Sequence, residues 1–131
     1  MTDNEKLATA QANKQLMLDF YERVFNNWDM SGIDEVMRED YMQHSPEVED
    51  GREGFKKFFR GFLQAKPHAD IIKVIAEDDL VCMFFRCTMG ANGAVVKVFD
   101  LYRIQDGKLA EHWDCTMNTE GIPVNNSLGH F

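Results

Sequence analysis

The sequence predicts an α+β fold, in which three N-terminal helices pack on one side of a strongly curved β-sheet that is antiparallel except for a mixed edge. Apolar residues recur at three- and four-residue steps as far as about residue 65, and this is the helical period. Four β-rich runs of similar length follow Pro67, with turn residues between them. Helices grouped on one side of such a sheet define the α+β class. Because the sheet must curl around few helices, we expect a cone-like cavity between the sheet and the helices.

Length and charge limit the choice of partners. With 131 residues, the chain forms one domain, residues 1–131, with a core over about 16–117 and a C-terminal tail over 118–131. Its net charge of −8 argues against nucleic acid and anionic membranes as partners, because both require basic patches. No apolar run reaches membrane-spanning length, and the N-terminus lacks the apolar segment of a secretory leader. We therefore expect a cytoplasmic protein.

The three cysteines, Cys82, Cys87 and Cys115, are an odd number and lie in predicted strands. They show neither Cys-x-x-Cys spacing nor the Cys/His spacing of a zinc finger, so a structural zinc site is not expected. Free thiols in a reducing compartment explain them best.

The three predicted helices each show one apolar face. The first, over about residues 5–27, carries an apolar stripe of Met17, Phe20, Tyr21, Val24 and Trp28. Ser31 is a candidate N-cap for a second helix, and Asp34 follows three residues later. In the third, residues 52–65, phenylalanines share one face while basic residues occupy the other, as in a helix with one solvated side.

Five extended segments complete the fold. A short one at residues 40–45 ends at Pro46, and four longer ones cover 69–78, 80–89, 94–104 and 108–117. The intervening Asp-Asp, Ala-Asn-Gly and Gln-Asp-Gly sequences are typical of tight turns, so we expect the four long strands to form an antiparallel meander.

The last predicted hairpin contains three titratable residues inside its strands, namely Asp100, His112 and Asp114. With a two-residue Asp-Gly turn, Asp100 would lie opposite Trp113 and on the other face from Asp114. With a three-residue Gln-Asp-Gly loop, Asp100 would lie opposite His112, and Asp114 would be its diagonal neighbour on the same face. We favour the three-residue loop, because it collects the acidic groups on one face. The other face then carries Phe99, Leu101, Arg103, Leu109, Glu111, Trp113 and Cys115, a mixture suited to packing on another subunit.

Two carboxylates and an imidazole on one concave face form a plausible acid–base set. Such a set can move a proton next to a carbonyl group without a metal or a cofactor. The alternative is a purely structural ion-pair network, since buried Asp–His pairs also occur without catalysis.

Three segments carry a resemblance to a known family. "YMQHSPEVEDGREGFKKFF", "VIAEDDLVCMFFRCTMG" and "VFDLYRIQDGKLAEHWDCTM" resemble the SnoaL-like polyketide cyclases, which belong to the nuclear transport factor two-like, or ketosteroid isomerase-like, superfamily. The resemblance runs from about residue 16 to 117. It implies a cone-shaped α+β barrel with a deep apolar pocket, usually dimeric through the outer face of the sheet. It is specific for fold more than for reaction.

The resemblance also implies roles for the polar hairpin residues. Asp114 matches the pocket Asp that serves these cyclases as general acid and base in an intramolecular aldol condensation. Asp100 matches a second polar pocket position, which in the steroid isomerases is an oxyanion-stabilising Asp, and His112 points inward in the family pattern. The isomerases place their proton-abstracting Asp where this chain has Ser45, so steroid-type isomerisation is not expected.

Candidate substrate-binding residues complete the set. His44 matches a recurring pocket His, although a turn hydrogen bond beside Pro46 explains it equally well. Gln43 faces the pocket if His44 does not, because neighbouring strand residues point in opposite directions. Tyr21 lies roughly where the isomerases have a helix-borne Tyr, but the sequence does not determine the helical phase, and a position in the core explains Tyr21 better. Trp28, Phe59 and Tyr102 are the remaining candidates for the substrate-binding wall of the pocket.

The leading hypothesis is a cofactor-independent acid–base enzyme of the SnoaL-like cyclase type, acting on a small hydrophobic carbonyl compound, with no metal. The first alternative is a non-catalytic ligand-binding or dimeric interaction module of the same fold. The second is a dehydratase or isomerase. In every case we expect a hydrophobic small molecule in the pocket and a homodimer through the outer face of the sheet.

Overall fold

The structure is a computed structural model that describes all residues from 1 to 131. Three helices precede the long strands. Helix α1 covers Asp3–Phe20 and continues as a π-helical segment, Tyr21–Asn26; α2 covers Ser31–Val36; and α3 covers Gly51–Phe62, followed by a 3-10 turn at Leu63–Ala65. The strands are β1 (Met37–Gln43), β2 (Pro67–Glu77), β3 (Leu80–Met89), β4 (Val95–Gln105) and β5 (Lys108–Asn118). The predicted α+β class is confirmed.

The five strands form one sheet in the order β1-β5-β4-β3-β2. Strands β2, β3, β4 and β5 form the predicted antiparallel meander. Strand β1 lies at the edge of the sheet and runs parallel to β5. Two bulges interrupt the antiparallel ladders, since Ile72 and Ala110 are extra residues on β2 and β5, and the parallel β1–β5 ladder is irregular between Met37 and Met42. Because a bulge bends its strand and increases its twist, both contribute to the curvature of the sheet.

The helices fill the concave side of the sheet. The core is a single cluster of 19 buried residues, drawn from all three helices and all five strands. Met17, Val24 and Phe59 from the helices meet Met83 and Leu109 from the sheet, and each of these five side chains is essentially inaccessible to solvent. This is the architecture of the nuclear transport factor two-like cone.

The hairpin that joins β4 to β5 corrects the predicted register. The loop is a two-residue turn in which Asp106 and Gly107 both have positive φ, so Gln105 pairs with Lys108. The extra residue Ala110 then shifts the pairing, so that Asp100 lies opposite Asp114 instead of His112. The preferred three-residue loop was therefore wrong, although the bulge brings the same polar residues to one face. Leu109, predicted on the outer face, is fully buried on the inner one.

The connection after the first helix also differs from the prediction. The helix ends at Asn26, and Trp28 adopts a left-handed backbone with φ of 58°. Trp28 therefore leaves the apolar stripe: it is 44% exposed, and its indole Nε1 donates to the Pro67 carbonyl oxygen at 2.8 Å. Ser31 is the first residue of α2 and not its N-cap, and the Asp29 carboxylate accepts its backbone N–H at 3.0 Å.

None of the helices combines the length and the apolar composition that crossing a lipid bilayer requires.

Candidate functional site

A cavity of about 270 Å³ lies between α3 and the concave face of the sheet. Most of its wall is apolar, with phenylalanines from the helices facing Phe85, Cys87 and Met89 from β3 and Val96 and Val98 from β4. One end is polar. The polar side chains that line it are Gln43, Ser45, Glu47, Asp100, His112, Asp114 and Thr116. The cavity therefore suits a mainly hydrophobic ligand with polar atoms at one end.

Asp100 is the centre of a buried hydrogen-bond network at this polar end. Its residue is 5% exposed, and one carboxylate oxygen, Oδ2, accepts a short hydrogen bond from the Tyr21 hydroxyl. The Tyr102 hydroxyl lies 2.8 Å from the Tyr21 hydroxyl and 3.5 Å from the same carboxylate oxygen. The other oxygen, Oδ1, lies 3.0 Å from Nε2 of His112. Both oxygens of Asp100 therefore have partners within the protein.

The two tyrosines that meet Asp100 are held in their neutral form. Burial, followed by the nearby charge of Asp100, raises the pKa of Tyr21 and of Tyr102 well above its usual value. Each phenol therefore keeps its proton and remains a hydrogen-bond donor at any physiological pH.

A π-helical segment presents Tyr21 to the sheet. The segment Tyr21–Asn26 continues α1 with a wider turn, and Tyr21 and Phe25 stack on one another with ring centroids 4.4 Å apart. Tyr21 thereby reaches Asp100 while Phe25 lines the cavity. Short π-helical segments often occur at functional sites, and here the wider turn sets the helical phase that the sequence left undetermined.

His112 links Asp100 to the first strand. Its Nδ1 lies 2.8 Å from Oε1 of Gln43, and the backbone N–H of Ser45 donates to the same oxygen at 3.0 Å. A backbone N–H can only donate, so the atom facing it must be the amide oxygen of Gln43. His112 consequently carries a proton on Nδ1, which it donates to that oxygen.

Three polar atoms on the inward-facing side of β1 and of the two residues after it form no hydrogen bond in the protein, although they are buried. They are the Tyr41 hydroxyl, Nε2 of Gln43 and the Ser45 hydroxyl. Burial, followed by the charge of Asp100, raises the pKa of Tyr41, and the neighbouring Gln43 amide lowers it by less, so the phenol is also neutral. Unpartnered buried polar atoms are costly, and natural proteins contain few of them.

Asp114 differs from the other polar residues of the cavity because its carboxylate is free. It lines the cavity opposite Asp100 in the β4–β5 ladder, and it makes no hydrogen bond or ion pair with the rest of the chain. Its residue is open to solvent, whereas Asp100 is buried. It can therefore accept a proton from a ligand without first breaking a contact within the protein.

The structure brings most of the predicted site residues together. Gln43, Phe59, Asp100, Tyr102, His112 and Asp114 all line the cavity. Tyr21 lies directly behind it and touches it through Asp100. The alternative for the first strand is also resolved, since Gln43 faces the cavity and His44 does not.

Two predicted pocket residues lie elsewhere. His44 points to the outer side of the sheet, where its ring stacks on Trp113 with centroids 4.9 Å apart, and its Nε2 lies 2.7 Å from Glu111. Alternation along the extended chain explains this, because Gln43 takes the inward position. Trp28 lies outside the cavity for the reason given above. Sequence reasoning missed Ser45 and Tyr41 as inward polar groups, although alternation from Gln43 places both on the same side.

The polar end also contains a set of side chains of the kind that bind metal ions. One ligand atom from each of Asp100, His112 and Asp114 lies within 4.8 Å of the others. However, Asp100 and His112 are bonded to each other, and the remaining atoms of both have protein partners. These residues could hold a divalent cation only if it replaced the hydrogen bond between them.

Cys87 is the one cysteine in the cavity wall. Burial raises the pKa of its thiol to about 11, so it is protonated and a poor nucleophile at neutral pH. The thiol is therefore part of the apolar wall and not a reactive group.

The fold and the cavity define a class of small α+β cone proteins with a mainly apolar site. The model of the SnoaL-like domain family matches residues 17–112. The chain therefore belongs to the SnoaL-like family of the nuclear transport factor two-like superfamily, as the sequence resemblance predicted.

Several solved structures share this fold. AclR of Streptomyces galilaeus, provisionally assigned as a hydroxylase, is 25% identical, with a TM-score of 0.70 over 82% of this chain and 90% of that chain. A protein of Acidithiobacillus ferrooxidans, provisionally assigned as a polyketide cyclase, is 20% identical, with a TM-score of 0.71 over 80% of this chain and 87% of that one. TsrD of Streptomyces laurentii is 22% identical, with a TM-score of 0.68 over 81% and 88%. No curated protein matches the sequence.

Proposed function

We propose that the protein is a cofactor-independent acid–base enzyme that acts on a hydrophobic carbonyl compound, with Asp114 as the group that moves the proton. The observation that carries the proposal is the free carboxylate of Asp114 at the polar end of an apolar cavity. Membership of the SnoaL-like family, and a structural relative provisionally assigned as a polyketide cyclase, favour this class of chemistry.

The proposed reaction is an intramolecular aldol condensation. The Asp114 carboxylate removes a proton from the carbon next to a carbonyl group, and the electron pair moves to the carbonyl oxygen to give an enolate. The enolate carbon attacks a second carbonyl carbon in the same molecule and forms a carbon–carbon bond. The alkoxide formed there takes back the proton from Asp114, so the carboxylate is regenerated.

Asp100 and His112 support this reaction from the polar end of the cavity wall. Because their polar atoms already have partners, they orient neighbouring groups and are not free to bind the substrate. They are positioning residues in this proposal, whereas the sequence suggested catalytic roles for both.

The alternative function is a small-ligand binder of the same fold. The fully partnered Asp100–His112 pair favours it, since a network satisfied without a ligand also suits a purely structural role. The two functions make opposite predictions for Asp114, because a binder needs no free carboxylate.

We also propose a homodimer through the outer face of the sheet and a cytoplasmic location. Exposed aromatic side chains on that face support the dimer: Phe99 is 45% exposed and stacks on Phe84 with ring centroids 4.4 Å apart. The three free cysteines support a reducing compartment.

Proton exchange tests the proposal without knowledge of the natural substrate. The ketone 1-tetralone, a compact bicycle, is incubated with the protein in D₂O, and deuterium uptake next to its carbonyl is followed by NMR. The wild-type protein should accelerate uptake, and Asp114→Asn should lower this rate by at least about 100-fold, because a general base contributes that much or more. The affinity for 1-tetralone should change far less.

Asp79→Asn is the matched control, because Asp79 is an exposed acid in the turn between β2 and β3. It should exchange protons at the wild-type rate. Equal rates in wild type and Asp114→Asn would exclude Asp114 as the base, and binding without any catalysed exchange would favour the ligand-binding alternative.

A further inference from the structure

The inner edge of β1 and the residues after it carry polar atoms that nothing in the protein satisfies. Tyr41, Gln43 and Ser45 alternate along an extended stretch, and each has one buried, unpartnered polar atom. Tyr41 and Ser45 are 1% and 3% exposed. Gln43 and Ser45 line the cavity, whereas Tyr41 lies beyond its wall. Two unpartnered groups therefore meet the polar end of the cavity from one strand edge.

The amide of Gln43 is held in one orientation. Its oxygen accepts two hydrogen bonds, at 2.8 Å from Nδ1 of His112 and at 3.0 Å from the backbone N–H of Ser45. Turning the amide over would place its NH₂ group against two donors. The two contacts therefore fix Nε2, which can only donate, on the side of the amide away from His112, where it lies near the Tyr41 hydroxyl but forms no hydrogen bond.

Asp100 holds the His112 ring on the side that faces away from Gln43. It holds Nε2 of His112 at 3.0 Å, and its second oxygen is held by Tyr21. Because the polar atoms of Asp100 and His112 all have partners, neither residue offers a free donor to a ligand. The buried donors that remain without a partner at the polar end are the Gln43 amide and the Ser45 hydroxyl, whereas Thr116 is exposed to solvent.

We propose that Nε2 of Gln43 and the hydroxyl of Ser45 bind the carbonyl oxygen of the substrate and stabilise the enolate that Asp114 creates. This inference rests on the proposed function. It transfers the oxyanion-binding role from Asp100, whose position has that role in the steroid isomerases that the sequence resembles, to the neighbouring strand and the residues after it. Asp100 and His112 become positioning residues that hold the Gln43 amide in its donor orientation.

The arrangement also defines a class of substrate. Strand β1 lies beside β5, with Gln43 paired to His112 two residues before Asp114, and neighbouring strands are about 4.8 Å apart. A ligand can therefore direct its carbonyl oxygen to β1 and the adjacent carbon to Asp114. The cavity of about 270 Å³ lies at the small end of ligand sites. We infer a compact, one- or two-ring carbonyl compound with an acidic C–H next to the carbonyl.

Two probes that differ only in having a carbonyl or a CH₂ group at one ring position test the inference. The affinities of 1-tetralone and of tetralin, which lacks the carbonyl, are measured for wild type, Gln43→Met and Ser45→Ala. Losing one such hydrogen bond should lower the ratio of tetralone to tetralin affinity by about fivefold in each variant. Tetralin affinity should not change, which shows that the cavity is intact. Gln64→Met, at an exposed position after α3, is the matched control.

The carbonyl itself supplies a second readout. The carbonyl of ¹³C-labelled 1-tetralone should resonate further downfield when bound to the wild type than when free in solution. This downfield shift should be smaller in both variants. An affinity ratio and a resonance that are the same in wild type and both variants would overturn the inference. Failure of both probes to bind would overturn the compact substrate class.

The proton-exchange experiment separates this inference from the proposed function. If Asp114→Asn loses exchange while Gln43→Met and Ser45→Ala leave the affinity ratio unchanged, Asp114 remains the base and the oxygen-binding assignment is wrong. If wild type catalyses no exchange but the ratio falls in both variants, the oxygen-binding site is retained and the enzymatic proposal fails.

Discussion

Two Asp–His pairs of nearly equal length occupy opposite environments in this molecule. Oδ1 of Asp100 lies 3.0 Å from Nε2 of His112, and both side chains are 7% exposed. Oδ1 of Asp70 lies 3.1 Å from Nε2 of His68 on β2, and these side chains are 56% and 55% exposed. Water competes for the outer pair but does not reach the inner one. Geometry alone therefore does not determine what such a pair contributes.

The two Asp–His pairs also differ in the number of their hydrogen-bond partners. The buried pair belongs to a network that includes Tyr21, Tyr102 and Gln43, so removing one member leaves several buried groups without partners. Asp70 and His68 have only each other, and water replaces a lost partner at once. The inner pair should consequently be sensitive to substitution, and the outer pair should tolerate it.

The largest difference in the free energy of unfolding should appear between two separate variants, in which Asn replaces either Asp100 or Asp70. Asp100→Asn keeps the side-chain volume but presents an NH₂ group either to the tyrosine hydroxyl groups or to the imidazole. We expect the free energy of unfolding to fall by about 3 kcal/mol. Asp70→Asn should lower it by less than about 1 kcal/mol. Urea denaturation measures both, and equal losses would mean that burial does not distinguish the pairs.

A second effect should appear at alkaline pH. All three tyrosines, Tyr21, Tyr41 and Tyr102, have raised pKa values in the folded protein because they are buried. Their contribution to stability is complete below the ordinary tyrosine pKa of about 10 and is lost as the pH rises above it, since only the unfolded chain can ionise them. Tyrosinate absorbance should therefore rise together with the loss of circular dichroism. Tyrosinate that appears in the folded protein would contradict this.

The smallest effect should come from a pair of intermediate exposure on the outer face. A hydrogen bond from His44, aided by Arg103, lowers the pKa of Glu111. The stabilisation is present above the ordinary glutamate pKa of about 4.3 and is lost as the pH falls through the lowered value. Glu111→Gln should thus destabilise the protein less than Asp100→Asn, and the difference from wild type should shrink at low pH and high salt. A difference that persists at low pH would contradict this electrostatic origin.

The sequence predicted the fold and the facing of the site better than it predicted the details. Periodicity located each helix and strand, and the family resemblance supplied the cone. Alternation placed Asp100, His112 and Asp114 on one face, although through the wrong hairpin register. A bulge at Ala110 leaves no signal in a single sequence, because its residue type is ordinary and its effect is a shift in pairing.

The remaining differences have similar causes. The π-helical segment that orients Tyr21 does not alter the apolar pattern enough to be recognised. The departure of Trp28 from its stripe depends on one left-handed residue near the end of the helix. The sequence left open whether Gln43 or His44 faces the cavity. Only the pairing of β1 with β5 shows that it is Gln43.

The bulge at Ala110 separates two properties that are usually coupled in a binding site, shape and chemistry. Because Ala110 is the unpaired residue, its deletion would leave every partner in the β4–β5 ladder unchanged, including Asp100 opposite Asp114. The strand would lose its bend, and the cone would open. Gaining or losing a residue at such a position could therefore fit the cavity to a larger or a flatter molecule while the reactive groups stay in place.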